Sequence, residues 1–123
     1  MENIRQEIIR VIRLAQTERR WRPGSAARHL LKRKVRGHLP IDATLVDYDR
    51  VIQDVLWDTV AKVYAYWYED TPYVAAVSIL GDNHWLVMVD LNGWMESAYV
   101  VSTPDRYFNK SEFEFIGLLG ELR

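Results

Sequence analysis

The sequence predicts an α+β fold: three N-terminal helices, a four-stranded antiparallel meander sheet and a short C-terminal helix, in one domain over residues 1–123. Three observations carry this. Apolar residues up to Asp58 recur with a period near 3.6, the spacing of one helix face. After Asp58 the period falls to 2, and β-branched and aromatic residues become dense, as in half-buried strands. The links between those strands are too short to join anything but antiparallel neighbours. With 123 residues, 49% hydrophobic and 12% aromatic, the chain has enough apolar surface for one core.

The first helix is read from Ile4, Ile8, Val11, Ile12 and Ala15, an apolar stripe that leaves Arg5, Arg10 and Arg13 mostly off it. Trp21-Arg22-Pro23-Gly24 breaks this helix. Ser25 is placed to cap a second one, Ala26 to Arg36, which Gly37 ends by supplying a left-handed position. His38-Leu39-Pro40 then leaves in an extended path. Thr44 with Asp47 forms a capping box for a third helix whose apolar face is Leu45, Tyr48, Val51, Ile52, Val55 and Leu56.

The strands are expected over Thr59–Tyr68, Tyr73–Leu80, His84–Leu91 and Trp94–Ser102. On the first, Ala61, Val63, Ala65 and Trp67 face one way, and Lys62, Tyr64, Tyr66 and Tyr68 the other. Asn92-Gly93 is the strongest hairpin signal, because both central residues of a type I′ turn need positive φ. Ser111 with Glu114 resembles a second capping box and opens the closing helix through Phe115, Ile116, Leu118 and Leu119. Helices then pack on one sheet face, and the tyrosine-bearing face is left half-open. Trp57, Trp67, Trp85 and Trp94 are assigned to the core or its margin.

There is no cysteine, which removes disulfides and thiol chemistry and suits the cytoplasm. No stretch approaches the about 18 apolar residues of a membrane span, so no membrane partner is expected. The formal net charge of −1 conceals a division. Met1 to Pro40 carries 11 Lys or Arg against 3 Asp or Glu, and Ile41 to Arg123 carries 5 against 14. A basic first third on an acidic body points to a polyanion partner. The competing reading is that Asp47, Asp49, Asp54 and Asp58 of the third helix neutralise the cations within the fold.

The densest chemistry lies in Arg28 to His38. On a helix, His29, Lys32, Arg33 and Arg36 share one side, a phosphate-binding face beside an imidazole. Three histidines without HxH or HxxxH spacing make no metal site, and no Gly-rich phosphate loop or Gly-x-Ser-x-Gly occurs, so no cofactor is expected. Metal-free acid–base chemistry remains, and RNA cleavage suits it. A base takes the 2′-OH proton, an acid protonates the leaving 5′ oxygen, and cations hold the charge on phosphorus. His29 and His38 are the candidate acid and base, with Glu96 a further base. Lys32 and Arg36 supply charge, and the hydroxyls of Ser97, Tyr99 or Thr103 position the phosphate. Arg28, Arg33 and Lys34 add backbone contacts, and Tyr64, Tyr66 and Tyr68 offer rings for stacking unpaired bases. His84, in a turn beside Asp82 and Asn83, is more readily structural.

These residues resemble the barnase, EndoU, colicin and RelE-like superfamily of small metal-independent ribonucleases, many of them toxins or phage-encoded. The resemblance lies in helices followed by a four-strand antiparallel meander. More narrowly, it lies in His29 through Lys32-Arg33-Lys34-Val35-Arg36-Gly37-His38-Leu39-Pro40 ahead of Tyr48, in Trp85-Leu86-Val87-Met88-Val89, and in Met95-Glu96-Ser97-Ala98-Tyr99. It covers about residues 26–103. It implies a site in the sheet concavity, with a His or Lys from the helical segment and polar residues from the later strands. It also implies RNA as partner and an inhibitor protein as companion. Family members place a basic or imidazole residue within the catalytic strands, where this chain has only Lys62 and His84. A non-catalytic RNA-binding or protein-interaction module of the same fold is the alternative reading.

Overall fold

The computed structural model describes residues 3–123; Met1 and Glu2 lie outside the described residues. Three helices, α1 (Ile4–Thr17), α2 (Ser25–Val35) and α3 (Leu45–Trp57), precede strands β1 (Lys62–Tyr68), β2 (Thr71–Leu80), β3 (Asn83–Val89) and β4 (Met95–Val101). A single turn α4 (Pro104–Tyr107), a fifth strand β5 (Phe113–Leu118) and a 3₁₀ turn (Leu119–Glu121) follow. The sheet is antiparallel throughout, in the order β4-β3-β2-β1-β5.

Helix starts follow local chemistry. The Asn3 side chain accepts the Gln6 amide proton at the head of α1. Both halves of the Thr44–Asp47 capping box close on α3. Ser25 differs from expectation: it is the first residue of α2 and is buried, and the cap position falls to Gly24 at φ 76°. The main core lies between helices and sheet, where Ile8, Val11, Ile52 and Val55 meet Val63, Ala65, Val74, Ala76 and Val87. Burying a side chain of this kind is worth about 1.5–3 kcal/mol.

Where the closing helix was expected, the chain forms a strand. Phe113 to Leu118 pairs with β1 in antiparallel register, and the Ser111 hydroxyl donates to Glu112 instead of capping anything. An isolated helix shorter than about 12 residues is marginal in water, and Gly117 weakens it further. Pairing as a strand satisfies the row of N–H and C=O groups that β1 would otherwise leave open. Five strands therefore replace four.

The far sheet face is also not half-open. Tyr64, Ala75, Val77, Leu86, Val101 and Phe113 form a second buried cluster, with Tyr66, Met88, Tyr99, Tyr107 and Phe108 against it. Tyr64 stacks on Phe108 with ring centroids 5.5 Å apart and 13° between planes. The segment from α4 to β5 thus folds back as an aromatic cover. The β3–β4 turn is longer than the two-residue hairpin expected. The Asp90 carboxylate accepts the amides of Asn92 and Trp94, and only Gly93 takes positive φ, a three-residue loop of the bulged kind. Trp57 stands 56% exposed rather than in the core.

The β4 edge of the sheet is covered by the helical layer and its connections. Along the outer side of β4, the Met95 amide donates to the Arg20 carbonyl at 2.8 Å. The Tyr48 hydroxyl donates to the Ala98 carbonyl at 2.6 Å, and the Val100 amide donates to His38 Nδ1 at 3.3 Å. Covered edges of this sort resist strand-to-strand association.

Candidate functional site

The site grows from the end of α2. After Val35 the chain turns at Gly37, φ 73°, where the His38 amide donates to the Arg33 carbonyl and the Gly37 amide to the Lys34 carbonyl. This is the Schellman closure of a helix, which only a residue tolerant of the left-handed region completes cheaply. The turn brings His38 back beside Arg33, one helical turn above it. Arg33 Nη1 donates to His38 Nδ1 at 3.2 Å. The same nitrogen receives the Val100 amide of β4. Facing two donors, Nδ1 carries the lone pair and the ring proton sits on Nε2.

One turn earlier on α2, His29 Nδ1 lies 3.3 Å from the Ser97 hydroxyl, and its ring packs 5.3 Å from Trp21. Between the two histidines sits Arg33, 4% exposed, with its guanidinium carbon 5.4 Å from the centre of the Tyr99 ring. Among the described residues its Nε has no hydrogen-bond partner. Among the described residues no carboxylate pairs with Arg33, the only ion pairs being Arg19–Asp49 and Arg22–Asp90. A buried charge without a counter-charge costs several kcal/mol.

The electrostatics follow from this placement. Burial lowers the pKa of His29, and Lys32, Arg33 and Arg28 lower it further. Burial likewise lowers that of His38, helped by Arg33 and Arg36. Both imidazoles are therefore neutral at pH 7. Burial also pulls Arg33 below its ordinary value, yet it stays a cation. Burial raises Tyr99, helped by its hydroxyl contact to Tyr107 at 2.5 Å. The Tyr48 hydroxyl is pushed up to about 12, chiefly by burial.

Five of the sequence-predicted residues thus converge: His29, Arg33, His38, Ser97 and Tyr99. Arg28, Lys32 and Arg36 are exposed and Lys34 half-buried around them, and none of the four is drawn into an ion pair among the described residues. The acidic helix does not neutralise the basic one: Asp49 pairs with Arg19 outside α2, Asp47 caps α3, and Asp58 accepts from Ser78 and Val60. Glu96 lies apart. It is the extra residue of the β-bulge opposite Met88 and Val89, its pKa is raised by burial and by Asp90, and the cation it feels is Arg22. Thr103 precedes α4 and is exposed without capping it.

The tyrosine row separates by depth. Tyr64 is 8% exposed beneath Phe108, Tyr66 is half-buried against Phe113, and Tyr68 is 60% exposed. Only Tyr68 offers an open ring for stacking. His84 sits away from α2, on the wall of a cavity of about 350 Å3 at the far sheet face, with Lys62, Asp105 and Asn109. Three side chains at the α2–β4 site carry no sequence signal. Tyr48 reads as core on α3, Trp21 as a helix breaker, and Tyr107 falls in a loop without periodicity. Set against known protein families, curated proteins and solved structures, the chain matches none of them.

Proposed function

We propose that this chain is a metal-independent RNA-cleaving nuclease-like domain acting at the junction of α2 with β4. The observation that carries the reading is Arg33: a buried guanidinium with no carboxylate partner among the described residues, set between two neutral imidazoles. Such a cation awaits an anion, and a phosphodiester supplies one.

Each group has a role that its surroundings favour. When His29 Nδ1–H donates to Ser97, Nε2 holds a lone pair suited to take the 2′-OH proton. The 2′ oxygen then attacks phosphorus, the bond from phosphorus to the 5′ oxygen breaks, and a 2′,3′-cyclic phosphate forms. The neutral His38, with its proton on Nε2, donates a hydrogen bond to the departing 5′ oxygen; water protonates that oxygen, and His29 returns the proton it took to the hydroxide left behind. Arg33, Lys32 and Arg36 stabilise the charge that builds on the phosphoryl oxygens. Tyr99 holds Arg33 from below.

Incubating the protein with total RNA and tRNA in EDTA tests this reading. Cyclic phosphate ends are expected, and they should disappear in the His29→Ala, His38→Ala double variant. Cleavage that persists in the double variant ends the catalytic assignment.

A second reading is a non-catalytic RNA-binding or protein-interaction module of the same fold. It is favoured by the fact that His38 Nδ1 is committed to Val100 and Arg33, a structural use of the ring. It predicts salt-sensitive RNA binding without turnover, and no RNA binding at all if the partner is a protein.

A further inference from the structure

We infer that the cavity on the far sheet face receives a planar heteroaromatic base, one belonging to the RNA strand whose phosphate meets Arg33; the second part rests on the function proposed above. The cavity holds about 350 Å3, at the small end of the about 300–1,000 Å3 range of ligand sites. That is room for one ring system, not for a peptide.

Its lining is apolar below and polar around. Tyr64, Val77 and Ile79 make the floor, and Phe108 closes one side. Asp58 is on the wall but already engaged, accepting the Val60 amide and the Ser78 hydroxyl. Lys62, His84, Asp105 and Asn109 also line it, and none of their side chains hydrogen-bonds another described residue. These four offer one cation, one anion, an amide that donates and accepts, and an imidazole that does either. Charges of both signs disfavour a net-charged ligand. A neutral ring with donors and acceptors round its edge, on an apolar floor, is the complement, and unpaired bases are recognised in this way.

The short α4 segment connects the cavity to the anion site. From the short α4 segment, Asp105 and Phe108 face the cavity, while Tyr107 meets Tyr99, whose ring lies under Arg33. On the sheet, His84 pairs with Val101, the neighbour of the Val100 that holds His38. The cavity lies over β1, β2 and the start of β3, while the anion site lies at the outer side of β4, so a base in the cavity would belong to a nucleotide further along the strand that carries the bound phosphate.

Fluorescence anisotropy with the hexanucleotides of A, C, G and U at low salt, together with saturation-transfer NMR of the four nucleosides, tests the assignment. The wild-type protein should prefer one hexamer by roughly tenfold or more, and the matching nucleoside should show transfer. Asp105 and Asn109 are exposed, so the Asp105→Ala, Asn109→Ala double variant should keep its circular dichroism and its salt-dependent binding while the four hexamers become equal. Equal binding of all four by the wild type without nucleoside transfer, or a preference that survives in the double variant, overturns the base assignment and leaves the phosphate reading intact. Failure of every hexamer overturns the RNA reading. If one nucleoside then still shows transfer that the double variant abolishes, the cavity is a site for a free nucleoside. If none does, both assignments fall.

Discussion

Arg33 concentrates the case at the level of single residues. A buried cation without a counter-ion is a burden on the fold, because its desolvation is uncompensated, and an apolar side chain of similar length removes that cost. Arg33→Met should therefore leave the urea midpoint unchanged or raise it, while RNA affinity falls; a large loss of stability with binding retained would make Arg33 structural. The histidines give a pH signature. Both have folded-state pKa values below the ordinary 6.5, so the unfolded chain binds more protons as acidity increases. Their contribution is complete above pH 6.5 and is lost as pH falls through 6.5 towards the folded values. Urea midpoints should accordingly decline below pH 6.5, and more shallowly in His29→Asn and His38→Gln. Because His29 stays neutral to lower pH, the acidic limb of kcat/KM for RNA cleavage should also lie below 6.5.

At the level of elements, the junction of α3 with β4 depends on one hydroxyl. Tyr48→Phe leaves the Ala98 carbonyl without its 2.6 Å donor, which should cost about 1–3 kcal/mol, measurable by urea denaturation. Periodicity exposed most elements: Ile8, Val11 and Ile12 on α1, and Val63 and Ala65 on β1, lie buried where their spacing put them. The closing strand was hidden because its state is decided by a partner. Phe113 becomes β rather than α through the open side of β1 at Tyr66, nearly fifty positions earlier, and no local pattern reports that. The cations of α2 were visible because solvated charges stay where helical spacing puts them. The meeting of His29 with Ser97, 68 positions away, was visible only as a list of groups able to take part. Tyr107 had no signal at all, since its role comes from folding back across the sheet.

Across the whole molecule, the division of charge survives folding. Arg28, Lys32, Lys34 and Arg36 stand around Arg33 without internal carboxylate partners among the described residues, and no helix there is long and apolar enough to cross a membrane. If a single strand engages all five, log K against log salt should fall with a slope of about −3.5, and each cation changed to Ala should make it shallower by about 0.7. A slope near zero would mean that phosphates are not the ligand. The imidazole at position 38 also serves as a stopper on the rim of the sheet. Acid should turn that stopper outward, because a proton on Nδ1 confronts the Val100 amide with another donor and uncovers the rim at that end, beyond the stretch that Arg20 and Tyr48 still cover. Concentrated solutions should then turn cloudy on mild acidification while far-ultraviolet dichroism is still native, as molecules join rim to rim, and static light scattering across that pH range would record it.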